Sequence, residues 1–181
     1  MKKVYNTFCV TKLINGVQIK HMKIMIIGYA STGKAKLASL FSEKYQLTQL
    51  NMEDIIYDEN RVKQPKKLSS QQLNRFLRKN ENWVINGNYS SCQFLERAEQ
   101  ASLIIVLKFN RFTCLKNAYQ ERKTKNQGWM KWLLYSGRNK YRQQKFNHLI
   151  KRHPDKVCVI KNQKQLDDYL LKLGISPQNN K

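Results

Sequence analysis

Five short apolar runs recur along the chain, and longer segments with helical spacing separate them. The runs span residues 24–27, 47–50, 83–85, 102–107 and 156–160. Helical spacing begins with Leu37, Leu40 and Phe41 and returns at about 70–80, 90–99, 111–152 and 163–173. Strands that alternate with helices predict an α/β fold in which right-handed crossovers build a parallel sheet flanked by helices.

Composition excludes several classes of protein. A chain of 181 residues with 41% hydrophobic content is expected to form one globular domain, not a disordered tail. No apolar run reaches the length of a membrane span, so no membrane partner is predicted. Four scattered cysteines suggest neither a zinc site nor a disulfide framework, and without an export signal we expect a reducing cytoplasmic location.

The charge balance is strongly basic, since 34 Lys and Arg against 12 Asp and Glu give a formal net charge of +22. Such a surface attracts polyanions. The segment 122–152 carries ten of the basic residues and no acid. This segment is either a solvated helix face or a contact surface for nucleic acid.

The ends of the chain are assigned separately from the body. Asn15-Gly16 between two strand-like runs predicts a hairpin, but residues 1–21 could equally be an extension that precedes a start at Met22. We expect the domain to cover residues 22–175 and the polar tail 176–181 to fray.

A phosphate-binding loop is predicted where the first apolar run ends. Gly28-Tyr-Ala-Ser-Thr-Gly33-Lys34-Ala35 matches the GxxxxGK pattern between a strand and a helix. The two glycines would let backbone N–H groups turn toward an anion, and Lys34 would add a full charge. Ser31 and Thr32 complete the predicted nucleotide contacts. The alternative is a glycine turn that only caps the helix.

Ala35 departs from the full pattern, which has Ser or Thr at this position. That hydroxyl normally coordinates the Mg²⁺ that bridges two phosphates of the nucleotide. Alanine has no oxygen to offer. We therefore expect ATP or GTP binding with a weakened magnesium site, and we assign no residue as a metal ligand.

Four separated segments resemble the bacterial "topology modulation protein" family, which is similar to adenylate kinase within the P-loop nucleotide kinases. They are the runs KIMIIGYASTGKAKLASLF, WVINGNYS and NRFTCL and the ending PDKVCVIKNQK. The resemblance covers about residues 22–171. It implies a nucleoside-monophosphate-kinase-like sheet of five parallel strands, with the nucleotide at the carboxyl ends of the strands.

The same resemblance assigns further residues to the site. The acid that follows the second strand in the family is Glu53 here, with Asp54 as a substitute for metal or base duty. The family's Asp-Gly-Asn-Tyr unit becomes Asn86-Gly87-Asn88-Tyr89, and Asn86 cannot act as a base. Arg111 matches the arginine that follows the fourth strand and suits contact with phosphate.

The lid of the family is shortened in this sequence. Only residues 125–128 separate Thr124 from Trp129, a loop too short to cover an active site. Arginines that could still reach phosphate include Arg138 and Arg142, which the spacing i, i+4 predicts on one helix face. Arg111 and Arg122 are the other two.

Three functions remain open from the sequence. The first is a phosphotransferase with an unknown acceptor, in which Lys34, Arg111 and Arg138 neutralise charge while Glu53 or Asp54 orients the metal or the acceptor. The second is a nucleotide-responsive protein that acts on nucleic acid, and on DNA topology, through its basic surface. The third is a pure nucleic-acid binder with a vestigial loop.

Overall fold

The computed structural model describes residues 21–120 and 127–176. The predicted hairpin or extension at residues 1–21 lies outside this part apart from its last residue, as does nearly all of the tail 176–181. In the described ranges, no helix combines the length and the apolar character needed to cross a bilayer.

Five strands form one parallel sheet, as the apolar runs predict. The strands are β1 Lys23–Gly28, β2 Thr48–Asn51, β3 Trp83–Asn86, β4 Leu103–Leu107 and β5 Val157–Ile160. Their order in the sheet is β2-β3-β1-β4-β5. The strands β3 and β4 are buried throughout, whereas the edge strand β2 is half exposed. Strands buried on both faces read as continuous apolar runs, which is why periodicity located them.

Eight α-helices are present in the described ranges. They are α1 Lys34–Tyr45, α2 Met52–Ile56, α3 Lys66–Lys79, α4 Phe94–Gln100, α5 Arg111–Gln120, α6 Gln127–Leu134, α7 Lys140–Arg152 and α8 Gln163–Lys172. The helix α2 escapes sequence analysis because five residues are too few to show a period. The long helical segment predicted at 111–152 is interrupted by a 3₁₀ turn at Ser136–Arg138, after which Asn139 caps α7 by accepting from the Arg142 N–H at 2.9 Å.

The described residues fall into two compact units. One contains β1 through Ile27 and the chain from Lys34 to Ile104. Its core includes Phe41, Met52, Leu73 and Trp83, all fully buried. The other contains the loop Gly28–Gly33 and the chain from Ile105 onward, with Phe109, Phe146 and Leu149 in its core.

The amino end of β1 is fixed on both sides by side chains. Asn82 Oδ1 accepts from the Met22 N–H at 2.7 Å, and Ser102 Oγ accepts from the Lys23 N–H at 3.0 Å. The Trp83 N–H donates to the Met22 carbonyl at 2.9 Å. These bonds set the register of β1, in which Ile26 pairs with Asn86.

Candidate functional site

The loop that follows β1 has the backbone geometry of an anion-binding turn. Ser31 and Gly33 adopt left-handed conformations, with φ of 53° and 77°. Gly28 has φ of 153°, and a Cβ atom at this position would lie 2.4 Å from the Leu107 carbonyl oxygen. Glycine is therefore required at position 28 by the backbone of β4 as well as by its own φ.

Four consecutive N–H groups of this loop lack acceptors. Within residues 21–120 and 127–176, no hydrogen bond is made by the N–H groups of Ala30, Ser31, Thr32 and Gly33. Buried or half-buried backbone donors normally find partners, and consecutive unpaired donors around left-handed residues form a nest that binds anions. The predicted cup of main-chain amides is consistent with this arrangement.

The carbonyl groups of the loop, in contrast, are held by the protein. The Thr32 hydroxyl donates to the Tyr29 carbonyl at 2.9 Å, and Asn117 Nδ2 donates to the Ser31 carbonyl at 3.0 Å. The Thr32 side chain is buried. Thr32, predicted as a nucleotide contact, can therefore offer its N–H group, while its hydroxyl stabilises the loop. Asn117 was not identified from the sequence.

Lys34 and Ala35 are the first residues of α1, where the helix dipole favours an anion. Lys34 is half-buried and Ala35 is exposed. Because alanine brings no oxygen, the residues of this turn supply no side-chain ligand to a Mg²⁺ ion. They do fit a polyphosphate.

Arg138 and Arg142 differ from the sequence prediction. The prediction that they share one helix face is wrong, because Arg138 ends the 3₁₀ turn and Arg142 lies in α7. Arg138 donates to the Phe109 and Asn110 carbonyls at 2.8 and 3.2 Å, and its guanidinium lies 4.0 Å from the centre of the Tyr29 ring. These contacts give no support to its predicted role as a phosphate clamp.

Arg111 begins α5 and is exposed. Its guanidinium lies 5.9 Å from the centre of the Tyr135 ring. Asn110 Oδ1 accepts from the Thr113 N–H at 2.8 Å at the start of this helix. Arg111 is thus placed on a capped helix end with its charge accessible to an anionic ligand.

Glu53 and Asp54 lie in the first turn of α2, and each has a partner. Glu53 Oε2 is 3.6 Å from Arg61 Nη1, and its carboxylate lies near the Tyr89 side chain. Burial, reinforced by the negative charge of Glu53, raises the pKa of Tyr89 well above its usual range. Asp54 Oδ1 accepts from Asn51 Nδ2 at 3.2 Å. Both carboxylates are exposed, so either can meet a ligand.

A residue that the sequence analysis missed organises the loop after β3. Arg97 is fully buried, and its guanidinium donates to the carbonyls of Cys92, Gly87 and Tyr89 at 3.2, 3.2 and 2.9 Å. Burial lowers the pKa of Arg97 to about 10, so the group stays cationic at neutral pH. Its spacing with buried Phe94 and Ala98 is the helical signal that could have revealed it.

The basic segment 122–152 is described only in part. Residues 121–126, with Arg122 and most of the predicted short lid, lie outside the described ranges, and Gln127 and Gly128 already belong to α6. In α7, Lys140, Lys151 and Arg152 are exposed. Arg142 Nη1 donates to the Gly137 carbonyl at 2.9 Å, and its guanidinium lies 5.5 Å from the centre of the Trp132 ring.

Comparisons with known proteins identify the fold. No protein-family model and no curated protein sequence matches the chain. Among solved structures, the chain is similar to a gluconokinase from Sinorhizobium meliloti 1021, with a TM-score of 0.55 and 10% identity over 84% of this chain and 91% of the other.

Two further structures are similar over 84% of this chain. One is a shikimate kinase from Bacteroides thetaiotaomicron, with a TM-score of 0.47, 11% identity and 95% of its own chain covered. The other is an uncharacterized protein from Eubacterium ventriosum ATCC 27560, with a TM-score of 0.49, 14% identity and 97% of its own chain covered. The resemblance to the topology modulation family stays a prediction. The sheet topology and the likeness to the gluconokinase together show that this chain has the fold of the P-loop kinases.

Proposed function

We propose that the protein binds a nucleoside triphosphate, ATP or GTP, and transfers its γ-phosphoryl group to a small acceptor. The observation that carries the proposal is the set of four unpaired N–H groups from Ala30 to Gly33, which directly precede Lys34 at the start of α1. Backbone donors and a lysine at a helix amino terminus supply positive potential without a metal. The kinase-like fold supports the same reaction class.

The reaction joins the acceptor oxygen to the γ-phosphorus. The bond between the γ-phosphorus and the β–γ bridging oxygen breaks, and the nucleoside diphosphate leaves with that electron pair. The hydroxyl proton of the acceptor passes to a carboxylate, for which Asp54 is the candidate because Glu53 is paired with the cationic Arg61. Lys34 and Arg111 would neutralise the charge of the phosphoryl group.

Nucleotide at a concentration 100 times its dissociation constant should raise the melting temperature by about 5–11 °C, because binding then adds about 2.7 kcal/mol to the free energy of unfolding. Lys34→Ala should abolish this rise. The matched control is Lys44→Ala, which removes the same charge from the last turn of α1 and should keep the rise. A full rise in the Lys34→Ala protein would show that the nucleotide binds elsewhere.

Magnesium should change nucleotide affinity little, because Ala35 offers no ligand oxygen. We expect titration calorimetry with ATP to give dissociation constants within about threefold of each other with and without Mg²⁺, equivalent to less than about 1 kcal/mol. Ala35→Thr restores the hydroxyl and should widen the difference to about tenfold. Equal metal dependence in both proteins would contradict this account of position 35.

Nucleic-acid binding through the segment 122–152 is the weaker candidate. Arg138 and Arg142 donate to protein carbonyls and lie over aromatic rings, so fewer of their N–H groups are left to contact a polyanion. The likeness to the gluconokinase bears on fold alone and gives this candidate no support.

A further inference from the structure

Asn86 ends β3 as a buried side chain with one polar atom that lacks a partner. The residue is 4% exposed, and its Oδ1 accepts no hydrogen bond from the part of the chain that the structure describes. Native proteins satisfy nearly all buried polar atoms. The unpaired oxygen therefore points to a donor that the described polypeptide does not supply.

The neighbours of Asn86 decide which end of its amide is unpaired. Asn51 Oδ1 accepts from the Glu53 N–H at 3.2 Å, so Asn51 Nδ2 is the end that donates to Asp54 Oδ1, also at 3.2 Å. Only a donor can face Asn51 Oδ1 from the other side, and Asn86 Nδ2 does so at 3.2 Å. The oxygen of Asn86 is consequently left for a ligand.

The groups around Asn86 include several oxygen acceptors. Asn86 Nδ2 donates to Asn51 Oδ1, and Asn51 Nδ2 donates to Asp54 Oδ1, each through one of its two N–H groups. Arg61 is 80% exposed and pairs with Glu53. What stays open to a ligand is the Asn86 oxygen together with the exposed carboxylate of Asp54. Acceptors of this kind favour a ligand that brings hydroxyl or ammonium donors, and they repel an anion.

We propose that the phosphoryl acceptor is a neutral or amino-bearing polyhydroxyl compound, one hydroxyl of which donates to Asn86 Oδ1. This inference rests on the proposed phosphotransferase function and specifies its second substrate. Asn86 pairs in register with Ile26 of β1, the strand that leads into the nucleotide loop. As an amide it orients the acceptor and takes no proton, so the proton passes to Asp54 as above.

A matched set of acceptors tests the substrate class. Nucleoside diphosphate formation from ATP is measured with glycerol, D-glucitol and D-glucosamine, and separately with D-gluconate and adenosine monophosphate. At least one compound of the first group should raise the rate about tenfold over the rate without acceptor, and the two anions should not. Stimulation by an anion alone, or by none of the compounds, overturns the proposal.

Asn86→Leu tests the contact itself. It should raise the KM of the effective acceptor about tenfold while the dissociation constant of the nucleotide changes less than twofold, and Asn86→Gln, which keeps both the amide oxygen and the N–H group that faces Asn51, should recover part of the loss. Asn74→Leu removes an exposed amide from α3 and should change neither value. Asn86→Ala serves as a second variant without the oxygen should the leucine protein fail to fold.

An unchanged KM in the Asn86 variants would mean that the oxygen has only a structural partner, such as water, and would overturn the proposal. The nucleotide-induced rise in melting temperature, measured on the same samples, separates the two hypotheses. If that rise is absent, the proposed function fails. If it is present and depends on Lys34 while no polyol is phosphorylated, only the acceptor class is wrong.

Discussion

Gly28→Ala should lower the free energy of unfolding by about 2–5 kcal/mol and eliminate nucleotide binding. The added Cβ would lie 2.4 Å from the Leu107 carbonyl oxygen and 2.8 Å from the Leu107 Cβ, neither of which can move away without shifting β4. Overpacking of this kind costs about 1–3 kcal/mol, and a strained φ of 153° adds a similar amount. Urea unfolding measures the stability, and calorimetry with ATP measures the binding.

Gly33→Ala is the matched control for the contact with β4. Its φ of 77° also disfavours a side chain, but a Cβ at this position meets nothing within 4 Å. The loss should be only about 1–2 kcal/mol, the ordinary cost of a left-handed conformation for an L-residue. Equal losses at the two glycines would show that φ alone, and not the approach to Leu107, requires glycine at position 28.

Arg97→Met should destabilise the protein by more than about 3 kcal/mol. Methionine has a similar length but no donor, so the carbonyls of Gly87, Tyr89 and Cys92 would lose the guanidinium that satisfies them. Each buried carbonyl left without a donor costs about 1–3 kcal/mol, and removal of the buried charge returns part of that cost. Chemical denaturation with guanidinium chloride measures the change.

Two variants define what Arg97 contributes. Arg97→Lys should recover only part of the loss, because an ammonium group lacks the planar fork that reaches three carbonyls at once. Arg75→Met removes an exposed arginine from α3 and should change stability by less than about 0.5 kcal/mol. A loss below about 1 kcal/mol for Arg97→Met would mean that the loop after β3 holds its shape without the guanidinium.

The sheet and the phosphate-binding loop could be predicted because they depend on local sequence. Buried strands such as β4 are continuous apolar runs, and the spacing of Gly28, Gly33 and Lys34 reflects the geometry of one turn. Elements that depend on single capping side chains were missed. Asn51 caps the five-residue helix α2, and Asn139 starts α7 in the middle of a segment whose periodicity appears unbroken.

The candidate site was predicted less completely, because its side chains are defined by partners distant in sequence. Asn117 reaches Ser31 across 86 residues, and Asn86 reaches Asn51 across 35. No motif records such a pair. Arg138 shows the converse, since a basic residue expected to meet phosphate instead donates to the Phe109 carbonyl, 29 residues away.

The hydrogen bonds that Asn82 and Ser102 make at the start of β1 fix the amino end of this strand. The five rises of about 3.3 Å between Lys23 and Gly28 give the strand a length of roughly 17 Å. If β1 shifted its register by one residue, Gly28 would move by one residue along the sheet, and each side chain of the strand would point to the opposite face. The position of the loop that follows β1 thus depends on two polar side chains at the amino end of this strand.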